Sequence, residues 1–261
     1  MSRVSVTSLR RQKEAGERIA VLTAYDASFA TLAEQAGVEV LLVGDSLGTV
    51  VQGHQTTVPV TLEQMVYHSS LVSRAARQAL VVADLPFLSY CNEEQALESA
   101  AALMQQGGVQ MVKLEGGDEV VDIVARLSAA GIPVCGHLGL LPQSVNKLGG
   151  YRIQGKEPHQ AEAMIEAAVA LEDAGAEMLV VECIPELLAR EISRQVAIPV
   201  IGIGAGSGCD GQVLVLYDML GITPGHRPSF VRDFLGGENG GVTAALAAYV
   251  RAVKDGSFPA S

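Results

Sequence analysis

The feature that most constrains the fold is a regular alternation of short apolar runs with amphipathic stretches along the whole chain. Eight runs have the length and the Val, Ile and Leu content of buried strands: Arg18–Tyr25, Val40–Asp45, Leu80–Asp84, Gln110–Glu115, Ile132–His137, Met178–Cys183, Ile198–Gly204 and Leu214–Asp218. Amphipathic helical stretches lie between them, and several end in glycine, a common helix stop signal. The pattern predicts a (β/α)8 barrel with a buried parallel sheet; the alternative is an open, doubly wound sheet.

The length of the chain suits one such barrel. The chain has 261 residues, of which 49% are hydrophobic, and barrels of this size fold as one domain. No linker-like stretch divides the sequence. We therefore predict a single domain over residues 1–261, with an N-terminal helix that starts near Thr7 and ends near Gly16 and a helical tail from Arg232 onward.

Charge and cysteine content limit the class of partner and the compartment. The formal net charge of −11 argues against nucleic acid and anionic membranes, although an anionic small substrate stays possible. No apolar run is long enough to span a bilayer, and the N-terminal stretch lacks an apolar signal core. The cysteines show no CxxC spacing and are expected to be free thiols: Cys91, Cys135, Cys183 and Cys209. We expect a soluble, cytoplasmic protein.

Acidic residues recur at or just after the ends of the predicted strands. They are Asp26, Asp45, Asp84, Glu115, Glu182 and Asp218. In a parallel barrel the carboxyl ends of all strands open onto one face, so these acids are expected to meet at a common mouth. Like charges repel there unless a cation or a proton intervenes, and Mg²⁺ prefers oxygen ligands. Asp45, Asp84 and Glu115 follow adjacent strands and are the predicted metal ligands.

A single acid at a strand end often caps a helix instead. Capping or ion pairing is the favoured interpretation for Asp26 and Asp218, and capping also stays open for Asp45. Asp84 fits a cap poorly, because Leu85-Pro86 follows it and no helix begins there.

Three side chains at this mouth, one of them an acid already named, are candidates for chemistry. Lys113 precedes Glu115 by two residues and faces the same way in a strand, so we interpret it as a contact for a substrate carboxylate or a developing enolate oxygen; the alternative is a structural ion pair. Glu182 is a candidate for proton transfer; the alternative is an acid paired to an Arg or Lys. For His137 a metal ligand, a substrate donor and a satisfied polar group all stay open, and the sequence gives His54 no role.

Two polar, Gly-rich segments, residues 47–61 and 138–158, follow strands two and five and so belong to the face where loops carry function. The stretch GIGAGSG, residues 202–208, superficially resembles a dinucleotide-binding loop, but Ser207 occupies the position of its last glycine. We interpret this stretch as a loop that permits a close approach after strand seven, near a ligand.

Nine segments carry motifs of a known family: LTAYD, LVGDSLG, VQGHQTTVPVT, ADLPF, MVKLEGG, PVCGHLGLLPQSVN, GGYRIQG, IPVIGIGAG and DMLGITPGH. Together they cover essentially the whole chain, which resembles the ketopantoate hydroxymethyltransferase family. The resemblance implies a barrel of the phosphoenolpyruvate/pyruvate-domain type, assembled as a homodecamer. It also implies transfer of a hydroxymethyl group from 5,10-methylenetetrahydrofolate to 3-methyl-2-oxobutanoate. The product is 2-dehydropantoate, in pantothenate biosynthesis, and the predicted route passes through an enolate that Mg²⁺ stabilises.

The resemblance also assigns residues. It places Mg²⁺ on Asp45, Asp84 and Glu115, the 2-oxo acid on Asp45, Ser46, Asp84 and Lys113, and the proton acceptor on Glu182. Two alternatives remain: a Mg²⁺-dependent carbon–carbon lyase or phosphonomutase of the same superfamily, and a non-catalytic module that binds a divalent ion.

Overall fold

The computed structural model describes residues 3–150, 152–224, 227–237 and 240–259, without the Leu148 side chain. Eight parallel strands close into a barrel in chain order. They are β1 Ile19–Thr23, β2 Val40–Val43, β3 Leu80–Asp84, β4 Met111–Lys113, β5 Val134–Gly139, β6 Ala176–Glu182, β7 Val200–Ile203 and β8 Gly211–Leu214. The barrel closes where Val21 of β1 pairs with Val213 of β8. The (β/α)8 prediction is confirmed, and the open sheet is excluded.

Helices surround the barrel. They are α1 Val6–Glu14, α2 Ala27–Gln35, α3 Leu47–Val50, α4 Leu62–Ala75, α5 Glu93–Gln105, α6 Val121–Ala129, α7 Val145–Leu148, α8 Pro158–Asp173, α9 Glu186–Gln195, α10 Leu216–Met219 and α11 Gly241–Asp255. Single 3-10 turns at Asp118–Val120 and Pro142–Ser144 precede α6 and α7. None of the helices within the described ranges has the length and apolar character needed to cross a bilayer.

Side-chain caps set where several helices begin. Asp26 accepts a hydrogen bond from the Phe29 amide at 3.0 Å and caps α2, so its interpretation as a cap is confirmed. Ser5 caps α1, which begins at Val6, one residue before the predicted start near Thr7. Thr61 caps α4, the helix that follows the long segment after β2. Such caps satisfy backbone amides that have no partner within the helix.

The two faces of the strands build two separate cores. Outward-facing residues pack against the helices, whereas inward-facing residues fill the barrel: Ile19, Val21, Val40, Leu42, Leu80, Val82, Met111, Cys135, Met178, Val180, Ile201 and Val213. This division follows from the two-residue repeat of a strand. Leu9 of α1 is 1% exposed and belongs to the inner core, so α1 closes the amino-terminal end of the barrel. At the other terminus, α11 packs on the barrel, and the Tyr249 hydroxyl donates to the carbonyl of Val21 at 2.7 Å.

The end of the sheet differs from the sequence prediction. Strand eight is Gly211–Leu214 and not Leu214–Asp218, and Asp218 lies in α10, where its carboxylate accepts a hydrogen bond from Thr223. A Cβ at Gly211 would lie 2.4 Å from the carbonyl oxygen of Ile19, so glycine permits the close packing of β8 on β1. The apolar residues after Leu214 misled the prediction because they are buried in a short helix.

The glycine-rich stretch after β7 has a structural role. Residues 204–210 return to the start of β8 without a helix. A Cβ at Gly206 would lie 2.5 Å from Glu186, and one at Gly208 would lie 2.8 Å from Arg190, both on α9. The predicted close approach is therefore made to α9, a neighbouring helix of the same chain.

Candidate active site

The inward-facing row of side chains changes from apolar to charged toward the carboxyl end of the barrel. On β3 the row reads Leu80, Val82, Asp84, and on β4 it continues from Met111 to Lys113. Glu115 follows β4 at the next position of the same row, and β5 and β6 end their rows with His137 and Glu182. Residues i and i+2 of a strand face the same side, so the charged groups stand directly above the apolar core.

Asp84 is 3% exposed and has two close neighbours. Its Oδ2 accepts a hydrogen bond from the Asp45 amide at 3.0 Å. Its Oδ1 lies 2.8 Å from Nζ of Lys113, as an ion pair without hydrogen-bond geometry. A buried acid at the end of an apolar strand is unfavourable unless it is paired, and these contacts provide the pairing.

Lys113 supplies a buried positive charge among the acids. Its Nζ also lies 3.3 Å from Nδ1 of His137. Burial lowers the pKa of Lys113, but three neighbouring carboxylates outweigh burial and raise the pKa above its ordinary value. The lysine therefore stays protonated, and the ion-pair interpretation of Lys113 holds alongside its predicted role toward a substrate.

Asp45 and Glu115 are also buried, at 3% and 6% exposure. Burial raises the pKa of Asp45 well above its ordinary value, and the charges of Asp84 and Glu115 raise it further. Three carboxylates thus share the positive charge of one lysine. The imbalance is the electrostatic condition that a bound cation relieves.

Ser46 begins the short helix α3 beside these acids. Its Oγ lies 2.9 Å from the hydroxyl of Tyr25, a buried residue after β1. A Cβ at Gly44 would lie 2.8 Å from Ser46 Oγ and 3.5 Å from Asp84 Oδ2. The glycine therefore keeps open the space between the serine hydroxyl and the acid.

His137 joins Glu182 to the other acids. Its Nε2 lies 3.3 Å from Oε2 of Glu182, and its Nδ1 lies 3.6 Å from Oε1 of Glu115. Burial and Lys113 lower the pKa of His137, but the neighbouring carboxylates of Glu115 and Glu182 outweigh them, so the pKa is raised. The partner of Glu182 is thus a histidine, and not the Arg or Lys of the alternative interpretation. Cys183, the next residue, has a φ of 49°, in the left-handed region, where the chain leaves β6.

The structure brings all six predicted site residues to this mouth and adds two that sequence reasoning missed. Gln143, in the turn after β5, contacts Asp45 and Glu115, and Tyr90 contacts Gln143. The signal for Gln143 was its position in the segment PVCGHLGLLPQSVN, within the predicted functional loop. His54 is exposed, and its amide donates to the carbonyl of Gly48.

The acids at the mouth supply the oxygen donors that a hard metal ion prefers. Among the described residues, no three His, Cys, Asp or Glu side chains converge closely enough to form a complete metal site. Mg²⁺ is commonly held by one or two carboxylates, with substrate and water completing its coordination. Buried acids that supply only oxygen and carry excess negative charge fit such an open site. They do not fit a closed cage of three or four protein ligands.

Solved structures with the same fold support the barrel type. A 2,3-dimethylmalate lyase, described as a member of the PEP mutase/isocitrate lyase superfamily, aligns with a TM-score of 0.59 and 20% identity over 82% of this chain and 79% of its own. A phosphonopyruvate hydrolase in complex with oxalate and Mg²⁺ aligns with a TM-score of 0.61 and 13% identity over 82% of this chain and 81% of its own. At these identities the likeness concerns the fold alone.

Closer relatives share far more of the sequence. The 3-methyl-2-oxobutanoate hydroxymethyltransferase of Halorhodospira halophila is 58% identical over 256 residues, which are 98% of this chain and 92% of that protein. The enzyme of the same name from Nitrosococcus oceani is 56% identical over 259 residues, 99% of this chain and 98% of that protein. The family model of ketopantoate hydroxymethyltransferase matches residues 3–261. The chain therefore belongs to the ketopantoate hydroxymethyltransferase family.

Proposed function

We propose that this chain transfers a hydroxymethyl group from 5,10-methylenetetrahydrofolate to 3-methyl-2-oxobutanoate, giving 2-dehydropantoate in pantothenate biosynthesis. Family membership over residues 3–261 and relatives named for this activity at 56–58% identity support the proposal. The structural observation that carries it is the convergence of three acids and Lys113 at one mouth, with Glu182 joined to them through His137.

Asp45, Asp84 and Glu115 would together hold a divalent cation in an open site, some of them through bound water, with Mg²⁺ as the first candidate. Their oxygen donors, the raised pKa of Asp45 and the space beside Gly44 support this assignment. The phosphonopyruvate hydrolase of similar fold was solved with Mg²⁺ and oxalate, a small dicarboxylate. When bound, the cation would supply Lewis-acid polarisation of the keto group, worth several kcal/mol in enzymes of this kind.

Lys113 and Ser46 would bind and orient the carboxylate of the 2-oxo acid, beside Asp45 and Asp84. The protonated Nζ of Lys113 offers a fixed positive charge, and burial strengthens its attraction for an anion. The hydroxyl of Tyr25 lies 2.9 Å from Ser46 Oγ and holds the serine in place. Positioned donors of this type need no reorganisation when negative charge develops.

Glu182 would accept the proton from C3 of the substrate. Its side chain is 15% exposed, so the carboxylate borders the mouth while little water reaches it. The proton passes to the Glu182 carboxylate, and the electron pair of the broken C–H bond forms the new bond to the one-carbon unit. That unit is bonded to two folate nitrogens: one C–N bond has opened when the C–C bond forms, and the second breaks as water supplies the hydroxyl oxygen. The two nitrogens take up the proton held by Glu182 and one proton of that water, which releases tetrahydrofolate. General-base catalysis of this kind contributes about 10²–10⁴-fold to the rate.

The alternative functions have less support. Neighbours named as a lyase and as a phosphonopyruvate hydrolase share 13–20% identity with the chain, whereas relatives named hydroxymethyltransferase share 53–58%. A module that only binds an ion has no need for Glu182 beside a buried histidine and lysine.

Deuterium exchange at C3 of 3-methyl-2-oxobutanoate tests the proposal. The wild-type chain should catalyse exchange when Mg²⁺ is present and folate is absent, and EDTA should stop it. Glu182→Gln should slow exchange by about 10²–10⁴-fold while substrate still binds. The matched control is Glu177→Gln, at the other end of β6, where Glu177 pairs with Arg10 at the surface.

The outcomes separate the candidate functions. Unchanged exchange in Glu182→Gln removes this residue from proton transfer. Exchange without product on addition of 5,10-methylenetetrahydrofolate supports the lyase or phosphonomutase alternative. No exchange by the wild-type chain at saturating Mg²⁺ supports the ion-binding module.

Assembly and compartment belong to the same proposal. The family resemblance predicts a homodecamer, which sedimentation equilibrium of the purified chain measures directly. A cytoplasmic location agrees with the cysteines, all four of which are free in the structure. No nucleic acid or membrane partner is needed for the proposed reaction.

A further inference from the structure

Gln143 reaches the acids of the site from the turn that follows β5. It lies in the 3-10 turn Pro142–Ser144 and is only 5% exposed, although glutamine is usually a surface residue. A buried amide needs a partner for each polar atom. The hydrogen-bond partners of Gln143 therefore indicate why a glutamine is buried at this position.

The side-chain amide of Gln143 has a fixed orientation. Its Nε2 donates to Oδ2 of Asp45 and to the carbonyl of Leu85, each at 2.9 Å. The backbone carbonyl of Leu85 can only accept a hydrogen bond, so the nitrogen end of the amide must face this pair of partners. The oxygen end accepts a hydrogen bond from the hydroxyl of Tyr90 at 2.6 Å.

The backbone of the same residue holds a second acid. The amide N–H of Gln143 donates to Oε2 of Glu115 at 3.0 Å. Asp45 follows β2 and Glu115 follows β4, so one residue ties together carboxylates from two different strands. Because these carboxylates repel each other, a shared donor that carries no charge holds them close without neutralising them.

We propose that Gln143 is a positioning residue that sets the relative placement of the Asp45 and Glu115 carboxylates for a divalent cation. The inference rests on the proposed function, in which these acids hold that cation. Gln143 touches neither the reacting atoms nor the keto acid; it acts through the two carboxylates. Tyr90 supports it by fixing the oxygen end of its amide.

Gln143→Leu tests the proposal, because leucine fills a similar volume and offers no side-chain donor. The matched control is Gln154→Leu, in the same segment, where Gln154 Nε2 donates to the carbonyl of Arg152 and not to an acid. The measurements are the Mn²⁺ dissociation constant by titration calorimetry with 3-methyl-2-oxobutanoate present, the KM and kcat of the transfer reaction, and the thermal midpoint.

Partners that orient metal ligands typically contribute about 10–100-fold to metal affinity. Gln143→Leu should therefore weaken Mn²⁺ binding by about 10–100-fold and raise KM for the keto acid, while kcat at saturating Mn²⁺ falls much less. Gln154→Leu should leave all three values unchanged. A merely structural role would lower the thermal midpoint but not the Mn²⁺ affinity of the folded molecules.

Equal Mn²⁺ affinity in Gln143→Leu and the wild type overturns the inference and leaves the proposed function standing. Failure of the proposed function gives a different result. If the wild type neither binds Mn²⁺ nor exchanges C3 deuterium, the proposed function fails, and this inference fails with it. If Gln143→Leu does not fold, Tyr90→Phe takes its place. Loss of that single hydroxyl should weaken Mn²⁺ binding about threefold or more, and unchanged affinity there overturns the inference.

Discussion

The interior of the barrel has a lower half, toward the amino ends of the strands, and an upper half, toward their carboxyl ends. The two halves differ sharply, although the same strands build both. The lower half is apolar and closed by Leu9 of α1. The upper half contains three buried carboxylates, a lysine and a histidine within a few ångströms of one another. On β4 the change happens between Met111 and Lys113, which are neighbours on one inward-facing row.

The difference teaches that position along a strand, and not burial, decides which chemistry the barrel interior supports. Residues of both halves are almost fully buried: Met111 is 0% exposed and Lys113 is 3% exposed. A charge in the lower half would have no partner, which is very unfavourable in an apolar interior. At the carboxyl end, loops such as the one that carries Gln143 bring partners for each charge.

The largest effect is expected from Lys113→Met, which extends the apolar half upward by one position. It leaves buried carboxylates without their cation, so the free energy of unfolding should fall by about 3–5 kcal/mol. Catalysed C3 exchange should also fall, by about 10²–10³-fold, because a fixed positive group is lost. Urea unfolding in EDTA and the exchange assay measure both, and added Mg²⁺ should restore part of the stability through binding to the folded state.

Met111→Ala, one position lower on the same row, is the control for that change. The cavity should lower the free energy of unfolding by about 2–5 kcal/mol, a loss similar to that of Lys113→Met. Its exchange rate per folded molecule should stay at the wild-type value. If exchange fell equally in both variants, the two halves would not be functionally distinct.

Asp45→Asn tests the electrostatics of the upper half, because its effect on the free energy of unfolding should depend on pH. The pKa of Asp45 in the folded chain is raised from its ordinary value of 3.8 by burial and by the neighbouring acids. Below that ordinary value both the folded and the unfolded chain hold the proton, so Asp45 has no effect. As pH rises from there through the folded pKa, the unfolded chain releases the proton more readily, and stability is lost.

The variant should therefore become increasingly more stable than the wild type as pH rises above the ordinary value, when divalent ions are absent. Urea unfolding at a series of pH values in EDTA measures the difference. Mg²⁺ should reduce or reverse the gain, because it binds the wild-type carboxylate. A constant difference at all pH values would contradict the raised pKa.

The smallest effect is expected from Asp26→Ala. Asp26 and Asp84 both stand near strand ends, but Asp26 only caps α2. Loss of the cap should lower the free energy of unfolding by about 1 kcal/mol and leave exchange unchanged. Slower exchange in this variant would show that the group of functional acids is larger than the network around Asp84.

Most of the site was predictable because barrel geometry converts strand ends into neighbours. The position of Asp84 directly after an apolar strand, and the two-residue spacing of Lys113 and Glu115, place all three at the mouth once the barrel is assumed. The capping role of Asp26 followed from local sequence as well. Asp218 shows the limit, because the prediction placed it at a strand end and the chain had already entered α10.

The contacts between distant loops were not predictable. Gln143 meets Asp45 across 98 positions of sequence, and His137 meets Glu182 across the β5–β6 pair. Nothing in the local pattern of PQSVN distinguishes a buried donor from a surface glutamine. The return from β7 to β8 without a helix was equally hidden, since it depends on how closely residues 204–210 pack on α9.

The sequence by itself determined seven of the eight strands, their chain order and their inward-facing rows, because apolar periodicity and short connections are local properties. Only the tertiary structure decided which charges are paired, which pKa values shift and which residue holds two acids together. Those outcomes depend on distances between side chains from different strands, and the closed barrel alone sets those distances.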